Sequence, residues 1–142
     1  RGVRPLYEDK GPGISHKSSN ENLWDTSGMQ ALFQTIDNQD SEAFTQWLTA
    51  DASFRFGNQP AVQGRDAIRE YVQGFFASVQ ALSHQLERQW TTADGVVCHG
   101  QVTYTRHDST QLTVPFCNVL NMTDGKVHGY LIFADTSALY GG

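Results

Sequence analysis

Val97-Cys98-His99-Gly100-Gln101-Val102-Thr103-Tyr104-Thr105-Arg106-His107-Asp108 reads as one long β-strand. It is rich in β-branched and aromatic residues and poor in helix formers. A strand sends alternate side chains to opposite faces. One face then carries Cys98, Gly100, Val102, Tyr104, Arg106 and Asp108, and the other Val97, His99, Gln101, Thr103, Thr105 and His107. The first face is apolar at its base and ends in a cation and an anion. That pattern predicts a strand rooted in a core with its tip in a pocket.

Three more β segments surround this one. Ser83 to Thr91 places His84, Leu86, Arg88 and Trp90 on one face. Gln111 to Met122 places Leu112, Val114, Phe116, Asn118, Leu120 and Met122 together, and Lys126 to Ala134 closes the set. Asp94-Gly95, Ser109-Thr110 and Asp124-Gly125 supply the turns. Pro115 lacks an N–H and predicts an edge position or a bulge. Ahead of them, Met29, Leu32, Phe33 and Ile36 recur at helical spacing, with Ser27 as a candidate N-cap. Asp37-Asn38-Gln39-Asp40 breaks that helix. A short helix follows, capped by Asp40 or Ser41, with Phe44, Trp47 and Leu48 as its stripe. Ala52 to Phe56 is a short strand. The longest helix runs over about residues 65–81, with Ile68, Tyr71, Val72, Phe75, Phe76 and Val79 on its apolar side. Helices followed by an antiparallel meander predict an α+β fold. Residues 1–28 read as a disordered leader or an artificial remnant, with Met29 the natural start and one domain over 29–142.

Composition bounds the function. The chain has 142 residues, is 39% apolar and 18% charged, and has a net charge of −5. One core fits that length. The acidic balance argues against nucleic acid as a partner. Neither an apolar run of membrane-spanning length nor a secretory signal is visible, so no membrane partner and a cytoplasmic location are expected. Cys98 and Cys117 fall on opposite strand parity, which predicts free buried thiols rather than a disulfide. No histidine or cysteine spacing suggests a metal, and no phosphate loop or nucleophile elbow calls for a cofactor.

The late strands carry apolar residues on both faces: Cys117 and Val119 lie opposite Phe116 and Leu120, and Leu131 and Phe133 opposite Tyr130 and Ile132. Helices of a small α+β chain cover one face only. A second copy is the simplest cover for the other, so a homodimer through the sheet is expected.

Several stretches in this order resemble the SnoaL-like branch of the nuclear transport factor 2-like (NTF2-like) superfamily. They are Phe54-Arg55-Phe56-Gly57-Asn58, Gly64-Arg65-Asp66-Ala67-Ile68, Tyr104-Thr105-Arg106-His107-Asp108, and Asp124-Gly125-Lys126-Val127 leading to Tyr130 and Asp135. The resemblance spans about residues 29–140. It implies a cystatin-like α+β cone, with a curved mixed or antiparallel sheet wrapped around N-terminal helices and a deep apolar pocket between them. It also implies a convex face that often dimerises. Polyketide cyclases, limonene-epoxide-hydrolase-like and ketosteroid-isomerase-like enzymes belong to that group, so the fold alone does not choose an activity. Arg106 and Asp108 match the Arg-x-Asp of the limonene epoxide hydrolases. That family's second aspartate would fall at Ile132, and its water-positioning tyrosine and asparagine at Phe54 and Phe56, unless a shifted turn brings in Asn58. The hydrolase set is therefore broken.

Strand parity leaves a polar group of His84, Tyr104, Arg106, Asp108, Asn118 and Tyr130 facing an apolar wall. Phe54, Phe56, Trp90, Phe116 and Ile132 form that wall, with Tyr71 and Phe75 at its border. Such a mixture suits a small apolar ligand bearing a carbonyl or hydroxyl. In the expected mechanism His84 is the general base or acid, and Arg106 or Tyr130 stabilises a developing enolate or alkoxide. Asp108 holds Arg106 or carries the second proton. Each residue also has a structural reading: Arg106–Asp108 as an ion pair at a strand end, His84 as a satisfied core histidine, the tyrosines as packing, Asn118 as a bridge between strands. A small-ligand binder of the same fold without turnover and a dimeric interaction module are the competing functions.

Overall fold

The computed structural model describes residues 24–140. The chain runs α1 (Thr26–Asp37), α2 (Ser41–Thr45), β1 (Leu48–Phe56), β2 (Val62–Gln63), α3 (Arg65–Ala77), β3 (Ala81–Thr91), β4 (Gly95–Thr105), β5 (Gln111–Thr123), β6 (Lys126–Phe133) and α4 (Ser137–Tyr140). One open sheet has the order β2-β1-β6-β5-β4-β3. β1 lies parallel to β6 and all other neighbours are antiparallel, so the sheet is mixed. Register shifts in β1–β6, β3–β4 and β5–β6 bend it, as bulges do.

The helices lie against one face. Met29, Leu32 and Phe33 of α1, Phe44 of α2 and Ile68, Val72 and Phe76 of α3 are buried there. Burial along β4 alternates strictly, with Cys98, Val102 and Tyr104 inside. Phe116, Asn118 and Leu120 of β5 and Tyr130 of β6 complete the inner face. The α+β cone expected from the sequence is the observed architecture.

Several boundaries differ. Much of the expected leader, residues 1–23, lies outside the described residues, but residues 24–28 belong to the fold. The Trp24 ring is buried edge-on against Trp47, with centroids 5.0 Å apart, and covers Gly28. Asp25, not Ser27, caps α1: its carboxylate accepts from the Gly28 N–H at 3.1 Å while the Ser27 hydroxyl donates to it at 2.7 Å. Asp40 caps α2 through the Ala43 N–H, as its spacing predicts. The β1 strand begins at Leu48, and α3 ends at Ala77 so that the chain can enter β3 at Ala81. Asp124 and Gly125 both have positive φ, the geometry of a tight hairpin turn. Pro115 pairs with Gln101 of β4 and lies beyond the last β5–β6 rung, Cys117 with Phe133. It stands where β5 has β4 as its only neighbour, the local edge that a missing N–H favours.

Two other departures decide the site. First, β4 stops at Thr105, so the strand read through Asp108 is shorter than expected. The Arg106 N–H donates to Thr110 O and the Ser109 N–H to Arg106 O, with Ser109 at positive φ. These bonds close a turn, and strand parity ends before Arg106. Second, β3 has a bulge between Leu86 and Arg88. His84 pairs with Val102 and Leu86 with Gly100, but Arg88 pairs with His99. One extra residue exchanges the faces of everything after it. A Cβ on Gly100 would collide with the carbonyl oxygen of Gln85, so the bulge needs glycine opposite it.

Candidate functional site

Helices and sheet enclose a cavity of about 50 Å³ on the inner face. Its wall is aromatic. Phe54 lies 5.3 Å from Tyr130, Phe56 lies 5.6 Å from Phe75, and Phe75 meets Tyr104 edge-on at 5.8 Å, measured between ring centroids. Tyr71, Phe116, Asn118, Ile132 and His84 also line it. An apolar cavity of about 150 Å³ holds a benzene ring. In this conformation the hollow is thus largely filled by its own rings, and a ligand must displace side chains at its mouth.

His84 enters the wall from β3, one rung before the bulge region. The last turn of α1 holds it from behind. The Asp37 carboxylate accepts the His84 backbone N–H at 3.0 Å through one oxygen and lies 2.7 Å from Nδ1 through the other. A carboxylate at that distance fixes a proton on Nδ1 and leaves Nε2 as the exchanging nitrogen. The imidazole stacks on Phe33, with centroids 4.4 Å apart and planes 9° apart, and meets the edge of Phe116 at 5.3 Å. Packing therefore immobilises the ring. A second hollow, lined by Gln30, Phe33, Gln34 and Gln85, reaches Asp37 and His84 from the outer side, between α1 and β3. The pair thus separates the apolar cavity from solvent.

Two polar atoms of the cavity wall are orphans. The Tyr130 hydroxyl and Asn118 Oδ1 are buried without a hydrogen-bond partner among the described residues. Buried polar groups are nearly always paired, so these two oxygens are the uncommitted hydrogen-bonding atoms of residues that line the cavity. Burial pushes the Tyr130 phenol well above its ordinary range, with Cys98 and Asp37 adding smaller charge effects in the same direction. It raises the Tyr104 phenol likewise. Both remain protonated donors at neutral pH.

The structure gathers His84, Phe54, Phe56, Tyr71, Phe75, Tyr104, Phe116, Asn118, Tyr130 and Ile132 around this cavity. It does not bring Arg106, Asp108 or Trp90 there. Arg106 turns to the C-terminal segment: Nε donates to Leu139 O at 3.2 Å, Nη2 to Ala138 O at 3.1 Å and Nη1 to the Thr110 hydroxyl at 3.1 Å. Asp108 is exposed in the turn, where the hydroxyl and backbone N–H of Thr110 donate to its carboxylate at 2.6 and 3.0 Å. Those two bonds hold its carboxyl below the usual carboxylate range. Trp90 is 45% exposed on the outer face, 5.8 Å from the His99 ring and under the Arg88 guanidinium, because the bulge has reversed its side. No three His, Cys, Asp or Glu side chains among the described residues gather as metal ligands.

Sequence reasoning misses Asp37, which it takes only as the start of a helix break. One signal marks it. It stands four residues after Phe33, which puts it on the buried stripe of α1.

The profile of the SnoaL-like domain matches residues 29–130. No curated protein matches the sequence. A candidate SnoaL-like polyketide cyclase from Jannaschia sp. CCS1 superposes with a TM-score of 0.72 at 18% identity, covering 89% of this chain and 94% of that one. TerC, crystallised with polyporic acid, gives 0.71 at 19% identity over 82% and 95%. SalBIII, an epoxide hydrolase/cyclase-like enzyme of pyran ring formation in salinomycin, gives 0.67 at 16% over 77% and 88%. At these identities the structures share the fold alone. The profile covers most of the described chain, and on that ground the protein belongs to the SnoaL-like domain family.

Proposed function

We propose that this protein is a cofactor-independent small-molecule enzyme that moves protons on an apolar carbonyl compound, as an isomerase or cyclase. One observation carries the reading. A histidine oriented by a carboxylate shares a water-poor cavity with an unpartnered tyrosine hydroxyl. In the first step a proton leaves the carbon next to the carbonyl for His84 Nε2. The C–H electron pair becomes an enolate, whose charge develops on the carbonyl oxygen. The Tyr130 hydroxyl donates to that oxygen, and Asn118 Oδ1 accepts from a ligand hydroxyl. Returning that proton from Nε2 to a different carbon of a conjugated enolate isomerises the ligand; in a cyclisation the enolate carbon attacks a second carbonyl of the same molecule, and the alkoxide formed there takes the proton back from Nε2. The outer hollow lets Asp37 and His84 exchange protons with solvent while the ligand fills the cavity. The cyclase-like and hydrolase-like fold neighbours support the class of chemistry, not a substrate.

The test is solvent deuterium uptake. 2-Tetralone in D2O, followed by NMR, should exchange its α-protons faster with the protein than with buffer, and His84→Gln should abolish the excess. Binding of 2-tetralone without any excess exchange would instead make the protein a non-catalytic carrier of small apolar ligands.

The same reading includes a homodimer through the outer face of the sheet. Val97, Cys117, Val119 and Leu131 are only half-buried there, and Phe133 is exposed. A second copy would cover them.

A further inference from the structure

Beside the inner cavity lies a cleft of about 780 Å³, bounded by the end of β1, the middle of α3 and the C-terminal segment. His84, Asn118 and Tyr130 do not line it, so it stands outside the proton chemistry. Its aromatic lining meets solvent: Tyr71 of α3 is 37% exposed and Tyr140 of α4 63%, while Phe56 and Phe75 are half-buried. Exposed rings gathered in one concavity mark a binding surface. The cleft is also preformed. The Ser78 hydroxyl donates to Phe75 O at 2.6 Å and lies 3.0 Å from the Tyr140 hydroxyl, from which it accepts. That chain of bonds ties α4 to the end of α3.

The polar lining comes from the end of β1 with its turn and from the segment after β6. The protein's own hydrogen bonds engage little of it. Arg55 donates Nε to Gln59 O at 3.2 Å and keeps both Nη groups uncommitted among the described residues. The side chains of Asn58, Gln59 and Thr136 and the Tyr71 hydroxyl make no hydrogen bond there. Asp135 accepts the Ser137 N–H at 3.0 Å, and the backbone and hydroxyl of Ser137 hold its carboxyl below the usual carboxylate range. It is therefore an anion at neutral pH, with acceptor sites to spare. Arg55 and Asp135 are the two charged groups of the lining, one of each sign, and neither has an ion-pair partner among the described residues. An acidic ligand would meet Asp135, and a cationic one Arg55. A hydrocarbon would strip the amides of water and return no hydrogen bond. A neutral ligand rich in hydroxyls satisfies donors and acceptors together.

We propose that this cleft is a saccharide site for a neutral pyranose of the β-glucose type. In that ring every hydroxyl is equatorial, so polar groups circle the edge while C–H bonds cover both faces. An apolar face packs on the exposed rings of Tyr71 and Tyr140. The edge meets Arg55, Asn58, Gln59 and Asp135, whose guanidinium, amide and carboxylate groups are planar forks that match two neighbouring hydroxyls at once. The volume admits a mono- or disaccharide. Two sources supply such a ring, a free sugar and the sugar end of a glycoside, and both present the same edge and faces.

Three probes of like shape test it by NMR titration of the labelled protein: methyl β-D-glucopyranoside, its anionic uronic acid counterpart, and methoxycyclohexane, which lacks the hydroxyls. The glucoside should bind with a Kd on the order of 1 mM and shift the amide signals of residues 55–59 and 134–137. The uronate should bind no more tightly, and methoxycyclohexane should leave those signals in place. Asn58→Ala and Asp135→Asn should each weaken the glucoside about fivefold, the scale of one hydrogen bond. Tyr71→Ala should weaken it as well, with circular dichroism confirming that each variant is folded, and His84→Gln should change nothing. Hexyl β-D-glucopyranoside separates the sources: tighter binding than the methyl glucoside points to the end of a glycoside, equal binding to a free sugar, and either supports the site. A glucoside that leaves the cleft signals unmoved, or binds Asn58→Ala and Asp135→Asn as well as the parent, overturns the proposal. So does a uronate that binds more tightly than the glucoside, since the cleft would then select acids. Deuterium exchange on 2-tetralone is a separate readout, and its failure leaves the saccharide site untouched.

Discussion

The carboxylate of Asp37 grips His84 twice, at the backbone N–H and at Nδ1, across 47 residues of chain. A helix end thereby sets both the position of β3 and the tautomer of its histidine. Asp37→Asn would keep the shape of that contact and remove its charge. Its amide nitrogen can face Nδ1 and draw the ring into the other tautomer, with the proton on Nε2. The expected result is a fall of about 100-fold in α-proton exchange of 2-tetralone, with 2-tetralone affinity unchanged. Equal exchange rates in the Asp37→Asn variant and the parent would reduce the pair to a structural tie.

Tyr130 and Asn118 stand in the opposite relation to stability. Each buries an oxygen that nothing among the described residues satisfies. Removing such an atom relieves a desolvation cost. Tyr130→Phe should therefore raise the unfolding free energy by about 1 kcal/mol in urea melts. It should also lower deuterium exchange roughly 100-fold, because a donor to the developing oxyanion is gone. A variant both less stable and fully active would contradict the role assigned to the hydroxyl.

Arg106 is expected to behave as a structural residue. Its guanidinium caps the last carbonyls of α4 and ties them to the 106–110 turn. Arg106→Gln should cost about 1 kcal/mol of stability, discounted for partial exposure. Exchange at saturating 2-tetralone should stay within about twofold of the parent. Asp108→Asn should leave that exchange rate unchanged as well. Loss of exchange in a stably folded Arg106→Gln protein would return the guanidinium to the chemistry.

The sequence shows the cup and hides its latch. Alternation along β4 and β5 is regular because one face packs against helices, so Tyr104, Phe116 and Asn118 are legible by parity alone. Parity fails where the ladder is irregular. Trp90 follows a bulge, and Arg106 and Asp108 follow a strand end, and neither event has a local signature as strong as the alternation around it. Asp37 is hidden for another reason. Its spacing from Phe33 puts it on the buried stripe of α1, but its partner is 47 residues away and nothing local to either residue names the other.

Gly100 is where the bulge can be tested. Its missing side chain leaves room for the Gln85 carbonyl on the neighbouring strand. Gly100→Ala must push β3 off β4 or remove the bulge. Either outcome strains a buried sheet, at a cost of about 3 kcal/mol in denaturant unfolding. Proteins surviving the change should show altered Trp90 emission, since a straightened β3 returns that ring toward the inner face. A fully stable Gly100→Ala protein with unchanged Trp90 emission would mean that the strand tolerates a Cβ at this close approach.

Cys98 gives the molecule an alkaline weakness. Its side chain is fully buried, and that burial, with a smaller effect of Cys117, pushes the thiol up to about 12. An unfolded cysteine titrates near about 8.5. Between these values the unfolded chain releases a proton that the folded chain keeps. The thiol's contribution is therefore complete below about pH 8.5 and declines as pH rises toward about 12. Tyr104 and Tyr130 act with the same sign, but only above the ordinary phenol range near about 10, so the window from about 8.5 to about 9.5 belongs to the thiol. Over that unit the parent should lose about 1 kcal/mol in urea unfolding that Cys98→Ala does not lose. Parallel declines in the two proteins would show that the buried thiol is not the group responsible.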